Sequence, residues 1–129
     1  MLQISWLRRE VPLHATSTGK AFLAWLPTDE ARSLLDDPLP AYTDTTVTDH
    51  EKLMDELALT RERGYAECSG ELEGRLYGVS APILSRADGR PLAVFGIWGF
   101  LDRVPASRFP ELGKIAIAAA TEITAVMNT

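Results

Sequence analysis

The hydrophobic pattern changes its period at Gly64, and this change most constrains the fold. After it, residues 65–72, 76–84 and 92–100 have the character of short strands separated by turn residues. Residues 106–127 then place apolar side chains three and four positions apart, which predicts a closing helix with one buried face formed by Phe109, Leu112, Ile115, Ala119 and Ile123. A three-strand meander between helices predicts an α+β fold with an antiparallel sheet flanked by helices.

The part of the chain before Gly64 is predicted to contain a strand and several helices. Residues 2–7 alternate in polarity and favour the strand. Either Thr16 or Ser17 is expected to cap a helix that reaches about Leu26, and residues 27–30 begin a second, short helix.

A third helix is predicted between the second helix and the strands. Thr48 is its expected N-cap, because Glu51 follows three residues later as in a capping box. Leu53, Met54 and Leu57 supply its buried face, and Gly64 ends it.

Composition limits the classes of protein to which the chain can belong. Its 129 residues, 46% hydrophobic and 24% charged, are typical of one soluble globular domain, expected to comprise residues 1–129. No apolar run is long enough to span a membrane, and no secretory signal is evident. Cys68 is the single cysteine, which fits a cytoplasmic location. A net charge of −5 argues against direct binding to nucleic acid.

The start of the first predicted helix is a candidate anion site. Backbone N–H groups at a helix N-terminus lack partners within the helix and carry partial positive charge. Ser17 and Thr18 occupy this position, so their N–H groups are expected to receive a carboxylate or phosphate. A simple capping role for these hydroxyl residues remains the alternative.

Four collinear segments carry a resemblance to a known family. Residues 11–21, 56–66, 78–83 and 89–94 together resemble the effector-binding domain of the IclR family of bacterial transcription regulators. The resemblance implies a GAF-like or profilin-like sensor fold that binds a small organic acid and assembles as a homodimer or homotetramer. It also implies that DNA is contacted only through a separate winged helix-turn-helix domain absent from this chain, with the usual N-terminal helix and strands of the sensor domain missing as well.

The resemblance also implies which positions line the ligand pocket. These positions are Val11, Ser17, Thr18, Cys68, Leu76, Gly78, Gly96 and Trp98. The family often has an acidic residue at position 68 and can have small hydroxyl residues at 96 and 98, so we expect a larger, partly aromatic ligand here. Whether Trp98 lines the pocket or fills it stays open.

Two other functions remain possible on the sequence alone. One is an association module whose pocket is collapsed by Trp98. The other is a small cysteine-dependent enzyme in which Cys68 pairs with His14 or His50, residues that also form a minimal zinc set. Neither the cysteine nucleophile nor the zinc set is supported by the spacing of these residues, so no catalytic residue, metal or cofactor is expected. Lys20 is expected to be solvated and His14 to make a structural hydrogen bond.

Overall fold

The computed structural model describes residues 12–128. Four α-helices and three strands follow one another in this part of the chain, together with a 3₁₀ turn over Ala106–Arg108. In chain order they are α1 (Ser17–Ala24), α2 (Thr28–Ser33), α3 (His50–Arg63), β1 (Ala66–Ser69), β2 (Leu76–Leu84), β3 (Pro91–Phe100) and α4 (Phe109–Met127). The predicted strand at residues 2–7 lies outside the described residues.

The strands form an antiparallel sheet in the order β1-β2-β3. In its register Cys68 lies opposite Gly78, and Gly78 lies opposite Trp98. Two residues further along β2, Ser80 lies between Ala66 of β1 and Gly96 of β3. Since side chains alternate across a strand, all these residues share one face of the sheet. The predicted α+β class with an antiparallel sheet is therefore confirmed.

Helix α4 covers the opposite face of the sheet. Its buried side chains pack with those of β2 in one apolar cluster, which includes Val79, Ala81, Ile83, Phe109, Leu112, Ala116 and Ala120. Ile115 was expected in this buried stripe, but half of its surface is exposed. Ile115 is exposed because Leu112, Ala116 and Ala120 form the buried face of the helix, and position 115 lies to one side of that face.

Helix α1 packs against the other face of the sheet, α3 contacts the edge strand β1, and α2 packs with these two helices. Leu23, Leu53 and Leu57 are buried in a second apolar cluster between α1, α2 and α3. Gly64 ends α3 with φ of 91°, as its predicted role requires. No helix between residues 12 and 128 combines the length and apolar character needed to cross a membrane.

The helix caps differ in detail from the sequence expectation. Thr16 caps α1, since its side chain accepts a hydrogen bond from the N–H of Gly19. Asp49, rather than Thr48, caps α3 by accepting from the N–H of Glu51. The expected capping box at Thr48 was therefore wrong by one residue, because the aspartate carboxylate is an equally good acceptor and lies closer to the first turn.

Candidate functional site

The candidate site lies where the start of α1 meets the sheet. The hydroxyl groups of Ser17 and Ser80 are 2.8 Å apart and both residues are buried, which ties the helix start to the middle strand. Thr18 lies over β3, where a Cβ added at Gly96 would be 3.3 Å from the Thr18 methyl carbon. The helix N-terminus therefore lies against the sheet face that carries most of the predicted pocket residues.

Two backbone donors at this helix start have no partner within the described part of the chain. The cap at Thr16 uses its side chain for the N–H of Gly19 and its carbonyl for the N–H of Lys20. It leaves the N–H groups of Ser17 and Thr18 with no hydrogen-bond acceptor among residues 12–128. Such donors, together with the helix dipole, favour an anion.

Glycines keep the sheet backbone close packed beside the helix start. A Cβ at Gly78 would come within 2.5 Å of the Cβ of Trp98, so any larger residue forces the two strands apart. At Gly96 the nearest atom to an added Cβ is the Ser80 hydroxyl oxygen, at 2.8 Å. The two positions act through their lack of a side chain, by allowing β2, β3 and α1 to approach one another.

Trp98 does not fill the space beside α1. Trp98 is 58% exposed, and the indole Cδ1 lies 3.7 Å from the position of a Cβ at Gly96. An aromatic side chain that collapsed a pocket would be buried, so the observed exposure argues against the collapsed-pocket interpretation. Trp98 instead presents an open aromatic surface next to the helix start.

The remaining predicted pocket residues, Cys68, Leu76 and Val11, differ in their location. Cys68 is buried on the same sheet face, next to Gly78 in the register. Leu76 is half-buried at the beginning of β2, opposite Phe100 and two residues from Gly78. Val11 lies outside the described residues. The structure thus brings six of the eight predicted positions together at the start of α1 and the adjoining sheet face. Leu76 lies at the end of this region, on the same strand as Gly78.

The Cys68 thiol is held in a neutral structural role. Its Sγ donates a hydrogen bond to the carbonyl of Ala15 at 3.4 Å. Burial, followed by the nearby carboxylate of Glu71, raises the pKa of the thiol above its ordinary value. A raised pKa keeps the sulfur protonated near neutral pH, whereas a nucleophilic cysteine needs a lowered one.

The two histidines are occupied elsewhere. His14 donates from Nε2 to the carbonyl of Pro40 at 2.7 Å, and His50 donates from Nε2 to the carbonyl of Asp36 at 2.9 Å. The structural role expected of His14 is thus observed. Between residues 12 and 128, no three His, Cys, Asp or Glu side chains are grouped so that they could hold a metal ion.

We expect Cys68 to react slowly with iodoacetamide in the folded protein. Burial and the raised pKa of the thiol together predict alkylation at neutral pH at least about tenfold slower than in the urea-unfolded chain. Mass spectrometry of timed samples measures both rates. Rapid modification of the folded protein at pH 7 contradicts a neutral, structural thiol and revives the cysteine-enzyme interpretation.

Lys20, in the first turn of α1, forms a buried ion cluster with Glu56 and Glu71. The Lys20 side chain is fully buried, and its ammonium group donates to Glu56 Oε2 at 2.6 Å, to the carbonyl of Glu67 at 3.0 Å and to Glu71 Oε1. Glu71 is itself buried and accepts from the N–H of Ser69 at 3.1 Å. All three ammonium protons therefore have acceptors.

The expectation that Lys20 is solvated was wrong. A lysine in a first helical turn opposes the helix dipole and needs acidic partners, which is the signal that the sequence offered. Its partners, Glu56 and Glu71, lie 36 and 51 residues away, so only the tertiary structure identifies them. Ser80 was also missed, although it lies two residues after Gly78 on the same sheet face.

The family match decides the identity of the chain. The sequence model described as "Bacterial transcriptional regulator IclR C-terminal" matches residues 1–125. The chain belongs to the IclR family. One curated IclR-family relative is the acetate operon repressor of Salmonella typhimurium, which is 38% identical over 116 residues, covering 89% of this chain and 42% of the repressor. The chain thus spans less than half the length of that relative.

Solved structures agree with this assignment. The Thermotoga maritima IclR structure superposes with a TM-score of 0.83 at 30% identity, covering 92% of this chain and 48% of that one. A double mutant of the PobR inducer-binding domain from Acinetobacter, in complex with 3-hydroxybenzoic acid, gives a TM-score of 0.77 at 25% identity, covering 88% and 66%. The fold is therefore that of an IclR-family C-terminal domain, α+β and GAF-like.

Proposed function

We propose that this domain senses a small organic acid whose carboxylate binds at the start of α1. The observation that carries the proposal is the pair of N–H groups at Ser17 and Thr18, which have no acceptor among residues 12–128. The side chains of these two residues lie against the sheet face that carries the predicted pocket positions. Carboxylates are favoured at such helix starts by hydrogen bonding and by the dipole.

The adjoining surface indicates the rest of the ligand. Trp98 exposes its indole beside Gly96, and the Cys68 thiol is buried on the same face of the sheet. An open aromatic ring next to an anion site favours a ligand with a flat apolar body attached to its acid group. The 3-hydroxybenzoic acid complex of the PobR domain supports a ligand of this kind. We therefore propose an aromatic carboxylic acid rather than a two- or three-carbon acid.

Ser17→Pro is the variant that tests the carboxylate site. Proline is well suited to the first helical position, and the preceding Thr16 is extended, with φ of −133° and ψ of 151°, as proline requires. The change removes one N–H donor. We expect about a tenfold weaker affinity for benzoate or 3-hydroxybenzoate, measured by calorimetry.

Ser17→Ala is the matched control, because both variants lose the hydrogen bond to Ser80 but only the alanine variant keeps the N–H. We expect the ligand to stabilise Ser17→Ala by roughly 2.7 kcal/mol when its concentration is about 100 times the dissociation constant, which a thermal melt detects. Equal affinities in both variants contradict the proposed carboxylate site. The absence of a shift with any aromatic or aliphatic acid contradicts acid sensing by the wild-type domain.

We further propose that the ligand acts on DNA binding by a separate helix-turn-helix domain. The repressor function named for the Salmonella relative supports this, and the acidic character of the present chain argues against direct DNA contact by it. A ligand changes DNA affinity only if it binds two states of the regulator unequally. Gel-shift titrations of a protein carrying both domains, with and without the acid, test this coupling.

Self-association is a second proposed property. The face of β3 exposes large apolar side chains, namely Leu92, Trp98 and Phe100, and β3 is the last strand of the described sheet. Rows of exposed apolar side chains favour pairing with another copy, and so does a strand edge at which no strand of residues 12–128 pairs. Light scattering with and without the acid measures whether the domain is a monomer, a dimer or a tetramer.

A further inference from the structure

A second concave site lies between the three N-terminal helices, away from the start of α1. Its volume is about 130 Å³, and its apolar lining comes from Leu23, Leu26, Ala31, Met54 and Leu57. Four of these residues are almost completely buried, whereas Met54 is half-buried. The cavity thus belongs to the helical apolar cluster and is separate from the sheet face that carries the proposed acid site.

The size of the cavity sets the size of what it can hold. An apolar protein cavity of about 150 Å³ is known to take up benzene, which has six carbon atoms. A cavity of about 130 Å³ therefore suits an apolar body of five or six carbons. The cavity exposes apolar and polar atoms to similar extents, so an occupant that combines an apolar body with a polar group is favoured there.

Arg61 and Thr28 form the polar part of the lining. Arg61 donates from Nη1 to the carbonyl of Ala24 at 2.8 Å, which uses one of the five guanidinium N–H groups. Within residues 12–128 it forms no ion pair, whereas Arg32 and Arg90 each contact a glutamate. The cavity therefore has an apolar floor, formed by the five apolar residues named above, and beside it Arg61, an exposed residue whose other guanidinium N–H groups have no acceptor among residues 12–128.

We propose that this cavity binds a second small ligand, an aliphatic or aromatic monocarboxylate whose apolar body fills the space while its carboxylate pairs with Arg61. The guanidinium fork matches the two oxygens of a carboxylate. The two ends of α1 then contact different ligands, one at Ser17 and one beside Leu23. The two sites are independent proposals, since they share no residue.

The test uses 4-methylpentanoate as the probe, with 4-methylpentan-1-ol as its neutral counterpart. A ligand of eight heavy atoms is expected to bind with a dissociation constant of about 1 mM. Methionine methyl groups labelled with ¹³C report occupancy by NMR, because Met54 lines the cavity and Met127 lies at the end of α4. We expect a saturable shift of the Met54 methyl signal and none at Met127. An unchanged Met54 signal up to roughly ten times that concentration overturns the proposal.

Two variants examine the two parts of the site. Arg61→Gln leaves the apolar floor intact and is expected to weaken the acid about tenfold while leaving the alcohol unchanged. Ala31→Leu fills the floor and is expected to abolish the Met54 response to both probes. Equal weakening of acid and alcohol by Arg61→Gln overturns the carboxylate assignment, and it does so even if Ala31→Leu does not fold.

The indole N–H signal of Trp98 separates the two proposed sites in the same titration. It reports on the region beside α1, and Trp98→Phe assigns it. Shifts confined to Trp98, with Met54 unchanged, overturn the cavity proposal while leaving acid sensing at Ser17 intact. A Met54 shift that survives Ser17→Pro supports a separate second site.

Discussion

Replacing Lys20 with methionine is expected to lower the free energy of unfolding by about 3–5 kcal/mol. The substitution keeps an apolar stem of similar length but leaves Glu56 and the buried Glu71 without their shared cation. Removing one partner of a buried ion pair costs much more than the pair contributes, because an uncompensated charge stays in the interior. Urea denaturation followed by circular dichroism measures the change.

Matched variants separate the charge effect from a loss of packing. Lys114→Met, at an exposed position on α4, is expected to change stability by less than about 0.5 kcal/mol. Adding Glu56→Gln and Glu71→Gln to Lys20→Met is expected to recover part of the loss, since neutral amides need no counter-charge. A Lys20→Met variant as stable as wild type, or a triple variant no better than the single one, contradicts this account.

The same cluster predicts a dependence of stability on alkaline pH. Burial disfavours the Lys20 ammonium, but the opposing attraction of Glu71 and Glu56 outweighs it, so the pKa of Lys20 lies above its ordinary value of 10.5. A pKa raised in the folded state gives stabilisation that is complete below the unfolded pKa and is lost as pH rises through the folded one. We therefore expect this contribution to fade only above pH 10.5, and to be absent from Lys20→Met.

Gly19→Ala is expected to destabilise the protein by about 3 kcal/mol, although alanine is the better helix former. A Cβ at position 19 would lie 2.5 Å from the Cα of Leu13 and 2.7 Å from its carbonyl carbon. Both are backbone atoms, so the chain before α1 has to move away. Helix propensity alone predicts a gain of about 1 kcal/mol, so the sign of the change distinguishes the two effects.

Gly74→Ala provides the control for Gly19→Ala. An added Cβ at position 74 has no atom within 4 Å among the described residues. We expect its free energy of unfolding to stay within about 0.5 kcal/mol of wild type. Thermal melts and urea curves of both variants measure the difference. A stabilised Gly19→Ala variant contradicts the close contact between α1 and Leu13.

The secondary structure was largely predictable because it rests on local signals. Periods of two and of three to four residues identified β2, β3 and α4, and Gly64 marked the end of α3. Cap positions were less certain, since adjacent residues such as Thr48 and Asp49 can both accept the same kind of hydrogen bond. The exposed position of Ile115 also escaped prediction, because the helix phase depends on what the sheet presents to it.

The candidate site was predictable only in outline. The start of α1 was identified from its hydroxyl residues and from the family resemblance, but the hydrogen bond between Ser17 and Ser80 joins residues 63 positions apart. The sequence left open whether Trp98 fills the pocket, and its exposure argues that it does not. Burial of a side chain depends on every neighbour that packs around it, which no local pattern records.

The sequence alone thus determined the helices and strands between residues 12 and 128, their order, the α+β class and the family, since these follow from periodicity, turn residues and collinear motifs. The tertiary structure decided how charge and space are distributed. It buried Lys20 between two glutamates, protected the Cys68 thiol and left a cavity beside Arg61. The physical reason is that electrostatic and packing energies depend on distances between residues far apart in the chain, and only the folded structure fixes those distances.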